Sequence, residues 1–324
     1  MGRASHPFRV VVRLAVSLAA LALAACAAKP VQPQCYHSPW LARYVCEPRV
    51  IAKVPYATLK KSLTEYFEQK KQEGVLTDAG MYFRDLEDGP HFGVNEYANF
   101  AAGSLLKLPL VMQYLSLAEE DPALLKLRLK VPDQIGILYD VVYLPPERLV
   151  PGESHSVEEL LRRTVQYSDN MAYMMLRQYL IDRYGNESFL WESYRQLGLV
   201  PDITDRTYVI SVARYSSLFK LLYSAAYLNA EKSEKLVQIM LGTTFSDGLE
   251  RGVPPEVRVA HKHGERERDG IAQLNDCGIV YFPENPYILC VMTRGTNNDA
   301  LEQVIGDVSR MVYEEVLSRR GRHH

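Results

Sequence analysis

Strand-forming segments sit near the two ends of the sequence, and a long helical block separates them. That division constrains the fold more than any other feature. "GMYFRDL" (Gly80–Leu86) and "HFGVNE" (His91–Glu96) flank the turn "EDGP", the pattern of a β-hairpin. "DCGIVYF" (Asp276–Phe282) and "YILCVMT" (Tyr287–Thr293) flank "PENP" in the same way. A helix precedes the first hairpin, with Leu59, Leu63 and Phe67 at helical spacing and Gly74 placed to end it. Another, "DALEQVIGDVSRMVYEEVLSR", follows the second hairpin. From Ser104 to about Gly242 the chain reads as mainly helical: Ser156 and Glu159 have capping-box spacing, and "SVARYSSLFKLLYSAAYL" is amphipathic. Two chain ends that share a sheet make one domain with a helical insert, an α+β arrangement over residues 55–320.

The chain has 324 residues, 47% of them hydrophobic, and a net charge of −2, so it can bury a sizeable core and has no basic footprint for nucleic acid. Arg3, Arg9 and Arg13 precede the apolar run "LAVSLAALALAA", too short to span a bilayer but suited to a signal peptide over residues 1–25. The run ends in "LAAC", which resembles the lipobox of bacterial lipoproteins and implies lipidation of Cys26, a membrane anchor and a periplasmic location. Ala27, rather than an aspartate, follows that cysteine and points towards the outer membrane; an ordinary signal peptide cut near Ala27 is the alternative. Residues 26–54, rich in Pro and Gln, read as a tether. Four further cysteines remain. Proximity suggests disulfides Cys35 with Cys46 and Cys277 with Cys290, although three pairings exist and buried free thiols are the alternative.

"NFAAGSLLKLPLVMQYL" (Asn99–Leu115) places Ser104 and Lys107 one helical turn apart in an apolar segment. A serine hydroxyl is a weak nucleophile until a base takes its proton, and a lysine can be that base if burial or a second cation lowers its pKa. The spacing alone is a cheap signal, since Ser217 and Lys220 repeat it. Company in order changes its weight: "YSDN" supplies Ser168, Asp169 and Asn170, and "VAHKHGE" supplies Lys262, His263 and Gly264. Together these approximate the Ser-x-x-Lys, Ser-Asp-Asn and Lys-Thr-Gly set of class A β-lactamases and penicillin-binding proteins. "VPGESHSVEELLRRTVQYSDNMAYMML" and "LGTTFSDGLERGVPPEVRVAHKHG" also resemble the approaches to the second and third motifs in that family, and the resemblance covers roughly Tyr56 to Leu317.

The resemblance implies a β-lactamase/transpeptidase-like fold, with a five-stranded antiparallel sheet flanked by helices plus an all-helical subdomain. It implies that Ser104 attacks a carbonyl, that Lys107 is the base, and that Ser168 passes a proton to the leaving nitrogen. Asn170 would bond Lys107 and the substrate amide, and Lys262 would meet the substrate carboxylate. The backbone N–H groups of Ser104 and Glu265 would face the oxyanion, and Gly264 would let its strand approach the ligand. The implied substrate is a β-lactam or a peptidoglycan-like peptide, with no cofactor.

Two departures qualify this. The segment "LGLVPDITDRTYVISVARYSS" lacks the Glu-x-x-Leu-Asn stretch whose glutamate activates the deacylating water; Asp202 and Asp205 are its only acids, so slow release is expected. His263 stands where a Thr or Ser hydroxyl would help hold the carboxylate, and its imidazole is expected to donate instead and to gain charge near pH 6.5. His261 and His263 share a strand face, but no third ligand makes them a metal pair. Pro109 implies a kink or a short helical start after Ser104. The 21 tyrosines are read as amphipathic packing.

Overall fold

The structure is a computed structural model that describes residues 56–87, 89–133, 145–199, 202–204 and 207–320. The proposed leader, Cys26 and the Cys35–Cys46 loop lie outside the described residues.

Helix α1 (Ala57–Gln72) leads into strands β1 (Leu76–Asp85) and β2 (His91–Val94). The three C-terminal strands are β8 (Arg258–Arg268), β9 (Ile271–Tyr281) and β10 (Tyr287–Gly295), and α8 (Asn298–Arg320) ends the fold. All five join in one antiparallel sheet of order β2-β1-β10-β9-β8, so the chain ends do share a sheet. Strand β10 shows why its sequence is apolar throughout. Ile288, Cys290 and Met292 enter the core on the helical-insert side, while Tyr287, Leu289 and Val291 enter the core under α1 and α8. A strand covered on both faces has no solvent side to leave polar. Cys277 and Cys290 face each other in register across β9 and β10 and form a disulfide.

The insert carries β3 (Asn99–Ala101), a 3-10 turn (Gly103–Leu106), α2 (Lys107–Glu120), β4 (Arg128–Lys130), β5 (Ser154–Ser156), α3 (Val157–Gln166), α4 (Asn170–Tyr184) and α5 (Ser188–Gln196). It ends in β6 (Asp202–Thr204), β7 (Thr207–Ser211), α6 (Val212–Tyr223) and α7 (Ala230–Met240). Ser156 caps α3 by accepting from the Glu159 N–H at 3.1 Å. The stretch around "YSDN" does not run on as one helix: α3 ends at Gln166, and Asp169 starts α4 afresh by accepting from the N–H groups of Met171 and Ala172. The tyrosines mostly pack, as at Tyr114, fully buried with its hydroxyl donating to the Leu176 carbonyl at 2.8 Å.

Candidate active site

Strand β3 delivers the chain to the 3-10 turn that carries Ser104, and two glycines let that turn press against β8. Gly103 has φ +49°, and a Cβ there would stand 2.6 Å from the Glu265 carbonyl oxygen. A Cβ on Gly264 would stand 2.9 Å from the Leu105 nitrogen. No larger residue fits either place without a shift. The closest neighbour of Gly264 is thus the turn that carries Ser104, which by itself calls for a glycine there. The Ala102 N–H donates to the Tyr208 carbonyl at 2.8 Å, tying the turn to β7.

Pro109 acts as its chemistry requires. It lacks the N–H that an α-helix would aim at the Leu105 carbonyl, the helix starts as a 3-10 turn, and the buried Tyr215 hydroxyl donates to that carbonyl at 3.0 Å. The Tyr194 hydroxyl donates to the next carbonyl, that of Leu106. Ser104 consequently sits on a turn braced from α5 and α6.

Lys107, 3% exposed, points its amine at three oxygens: the Ser168 carbonyl at 2.5 Å, Asn170 Oδ1 at 2.6 Å and Ser168 Oγ at 3.1 Å. The first two only accept, and they match the two N–H bonds of a neutral amine; the Ser168 hydroxyl can accept from the ammonium or donate to the amine. Burial pushes the Lys107 pKa down to about 7, against the pull of the Asp169 and Glu265 carboxylates. Lys262, fully buried, donates to the same Ser168 Oγ at 2.9 Å and to the His263 carbonyl at 2.7 Å. Burial first, and then the neighbouring Lys107 cation, hold its pKa well below the ordinary lysine value. One hydroxyl therefore bridges two amines that disfavour each other's charge. An anion arriving beside Lys262 would favour its protonated form.

Ser168 is held in this bridging place at a backbone cost, with φ +51°. The residues after it supply the restraint. Asp169, besides capping α4, accepts from Arg163 Nε at 2.9 Å, and Arg163 also donates to the Glu147 carbonyl. Both partners of this ion pair are buried, at 6% and 4% side-chain exposure. Asp169 thus has a structural place, as cap and ion-pair partner, and Arg163 was not foreseen, because nothing in a spacing of six residues marks an ion pair on a helix.

The cleft beside these groups has a volume of about 820 Å³ and is lined by Ser104, Lys107, Asn170, Tyr173 and the stretch Glu265 to Gly270. Its carboxylates are Glu265, Glu267 and Asp269, all from the β8–β9 hairpin, among the described residues. The described part of β6 gives Asp202 a main-chain place only, and Asp205 lies outside the described residues.

His263 departs from expectation. Alternation along β8 puts Ala260, Lys262 and Gly264 on the helical-insert side and Val259, His261 and His263 on the other. Its ring packs on Phe245 at 4.4 Å between centroids, 2% exposed, and does not border the cleft. Burial, together with the Lys262, His261 and Lys107 cations, holds its pKa well below the ordinary value, so it gains no charge near pH 6.5. His261 is the opposite case. Burial works against its charge, but Asp276 at 2.8 Å and Glu250 outweigh burial and raise its pKa to about 9. Among the described residues no group of three or more His, Cys, Asp or Glu is placed to hold a metal ion.

The cleft's hairpin was also missed. Asp269 and Gly270 both have positive φ, +54° and +73°, which is the two-residue turn that Asp-Gly prefers. That dipeptide was the available signal.

A family model described as "Beta-lactamase enzyme family" matches residues 58–316. Among solved structures, PBP-A is similar at 23% identity with a TM-score of 0.69, covering 83% of this chain and 100% of that one; one such structure is a mutant described as an acyl-enzyme complex with penicillin G. A β-lactamase from Burkholderia phymatum is 24% identical with a TM-score of 0.67, covering 80% of this chain and 99% of that one. A β-lactamase from Xanthomonas campestris is 22% identical with a TM-score of 0.66, covering 80% and 97%. At these identities the structural likeness speaks for the fold. A comparison with curated proteins finds no match.

Proposed function

The chain belongs to the β-lactamase enzyme family, and from that premise we propose that it is a serine hydrolase that forms an acyl-enzyme on Ser104 with β-lactams or cell-wall-like peptides. One observation carries this reading: the Ser168 hydroxyl bridges the amines of Lys107 and Lys262, while Lys107 and Ser104 line one cleft a helical turn apart.

In the proposed sequence the neutral Lys107 amine takes the Ser104 proton as the hydroxyl oxygen bonds to the substrate carbonyl carbon. The oxyanion forms against the N–H groups of Ser104 and Glu265. The C–N bond then breaks, its electron pair goes to nitrogen, and the proton held by Lys107 reaches that nitrogen through the Ser168 hydroxyl. Lys262 receives the carboxylate of the leaving portion, and Asn170 holds the amide of the acyl portion.

Release is slow in this reading, because the segment after α5 lacks the Glu-x-x-Leu-Asn stretch whose glutamate would activate the deacylating water. The same observation supports a second reading, a penicillin- or peptidoglycan-binding protein that is acylated without turning over. A leader ending in "LAAC" further supports a periplasmic protein anchored through lipid on Cys26, at the outer membrane. No helix among the described residues is long and apolar enough to cross a membrane.

Intact-mass measurement over time after adding benzylpenicillin tests the enzyme reading. An adduct on Ser104 that persists for minutes supports slow release; one that disappears within seconds contradicts it; no adduct in the presence of folded protein removes the acyl-enzyme altogether.

A further inference from the structure

Asn170, Tyr173 and Arg177 are spaced three and four residues apart on α4, so they share one face of that helix. Asn170 and Tyr173 line the cleft, while Tyr173 and Arg177 line a second, smaller recess. Leu106, two residues after Ser104, borders both spaces. Leu190, Trp191 and Tyr194 of α5 and Tyr208 of β7 complete the recess, with the Trp191 ring 5.2 Å from that of Tyr194 and 5.0 Å from that of Tyr208. Arg177 is paired with Glu187, which leaves an aromatic wall as the recess's main offering.

The recess is tied rigidly to the nucleophile turn. Tyr194 donates to the Leu106 carbonyl, and the Tyr208 carbonyl accepts from Ala102, two residues before Ser104. Strand β7 holds Tyr208 here, because it pairs directly with β3, the strand that leads to Ser104.

We propose that this recess is a subsite for a flat aromatic substituent on the acyl side of the scissile bond, with Trp191 and Tyr208 as specificity-determining residues. The inference rests on the reading of Ser104 as nucleophile and deepens it by naming a substrate class. The side follows from that reading: Asn170 holds the acyl amide, and the recess lies further along the same helix, at Tyr173 and Arg177. A flat ring entering there would have aromatic faces and edges to pack against, in the offset or edge-to-face arrangements that aromatic pairs prefer.

The test compares benzylpenicillin, whose acyl group is phenylacetyl, with the same nucleus bearing acetyl, reading the second-order rate of adduct formation by intact mass. Wild type is expected to favour phenylacetyl by about tenfold or more, as burial of a phenyl ring implies. Tyr208→Ser, at a position 36% exposed where truncation spares the core, and Trp191→Leu are expected to erase most of that preference while leaving the acetyl rate unchanged. Equal rates in wild type, or an unchanged preference in both variants, overturn the subsite and leave the acyl-enzyme reading standing.

If wild type forms no adduct, that reading fails separately, and the subsite is judged by Trp191 emission. The chain has two tryptophans, so a Trp40→Phe background isolates it. A saturable change with N-phenylacetylglycine but not N-acetylglycine supports the subsite; no change, or the same change with both, overturns it.

Discussion

Ser104 with Lys107, at the start of α2, and Ser217 with Lys220, within α6, share one spacing on a helical turn, yet their surroundings differ in every respect that matters for reactivity. Lys107 is buried among three oxygens at the edge of a cleft. Lys220 is exposed, and the Ser217 hydroxyl donates to the Arg214 carbonyl one turn back, as a serine in an ordinary helix does. Helix α6 nonetheless serves the site through its other face, where Tyr215 supports the Leu105 carbonyl. The spacing brings an amine near a hydroxyl; burial and bonding partners decide whether that amine can act as a base near neutral pH.

The largest expected effect would break this comparison outright. Lys107→Ala should slow acylation of Ser104 by about 10²–10⁴-fold, the usual worth of a general base, with folding checked by circular dichroism. Lys220→Ala should leave the rate within about twofold, as surface changes do. Comparable losses in both would erase the distinction.

Next comes the restraint behind Ser168. Arg163→Met leaves the buried Asp169 carboxylate without its ion partner and should destabilise the protein by about 3–5 kcal/mol in urea unfolding. Arg214→Met, in α6 and exposed, should cost less than about 0.5 kcal/mol.

A smaller effect sharpens the comparison through pH. A base with pKa about 7 is neutral above that value and protonated below it. The acylation rate should therefore rise about tenfold per pH unit up to pH 7 and level off above it, measured with benzylpenicillin at fixed ionic strength. A flat profile between pH 5 and 7 would disconnect Lys107 from the rate.

The smallest effect concerns the shared helix. Tyr215→Phe removes only the hydroxyl that meets Leu105 and should cost about 1 kcal/mol of stability, with a measurable drop in acylation rate. Ser217→Ala, two residues along, should change neither.

Much of the fold was legible because both terminal hairpins carry apolar strands bounded by turn residues, and because the insert is amphipathic with a clear cap at Ser156. The distal part of β8, "ERER", was not, since its charges hide any alternation, and only the following Asp-Gly turn betrays a hairpin there. At the site, Ser104, Lys107, Ser168, Asn170 and Lys262 could be named from short motifs. The face on which His263 lies could not, because it depends on how β8 is covered on each side. The bracing by Tyr194, Tyr215 and Arg163 arises from segments that meet only in the folded chain, and no local pattern encodes it.

The most direct measurement is a titration of the Lys107 side chain, following its Cε resonance by carbon-13 NMR with assignment from Lys107→Arg. The account predicts a midpoint about 7 in the free protein, moved by removal of the Ser168 hydroxyl in Ser168→Ala. A midpoint near that of a solvated lysine, about 10.4, would contradict it, for the amine would then be protonated whenever the serine needed a base.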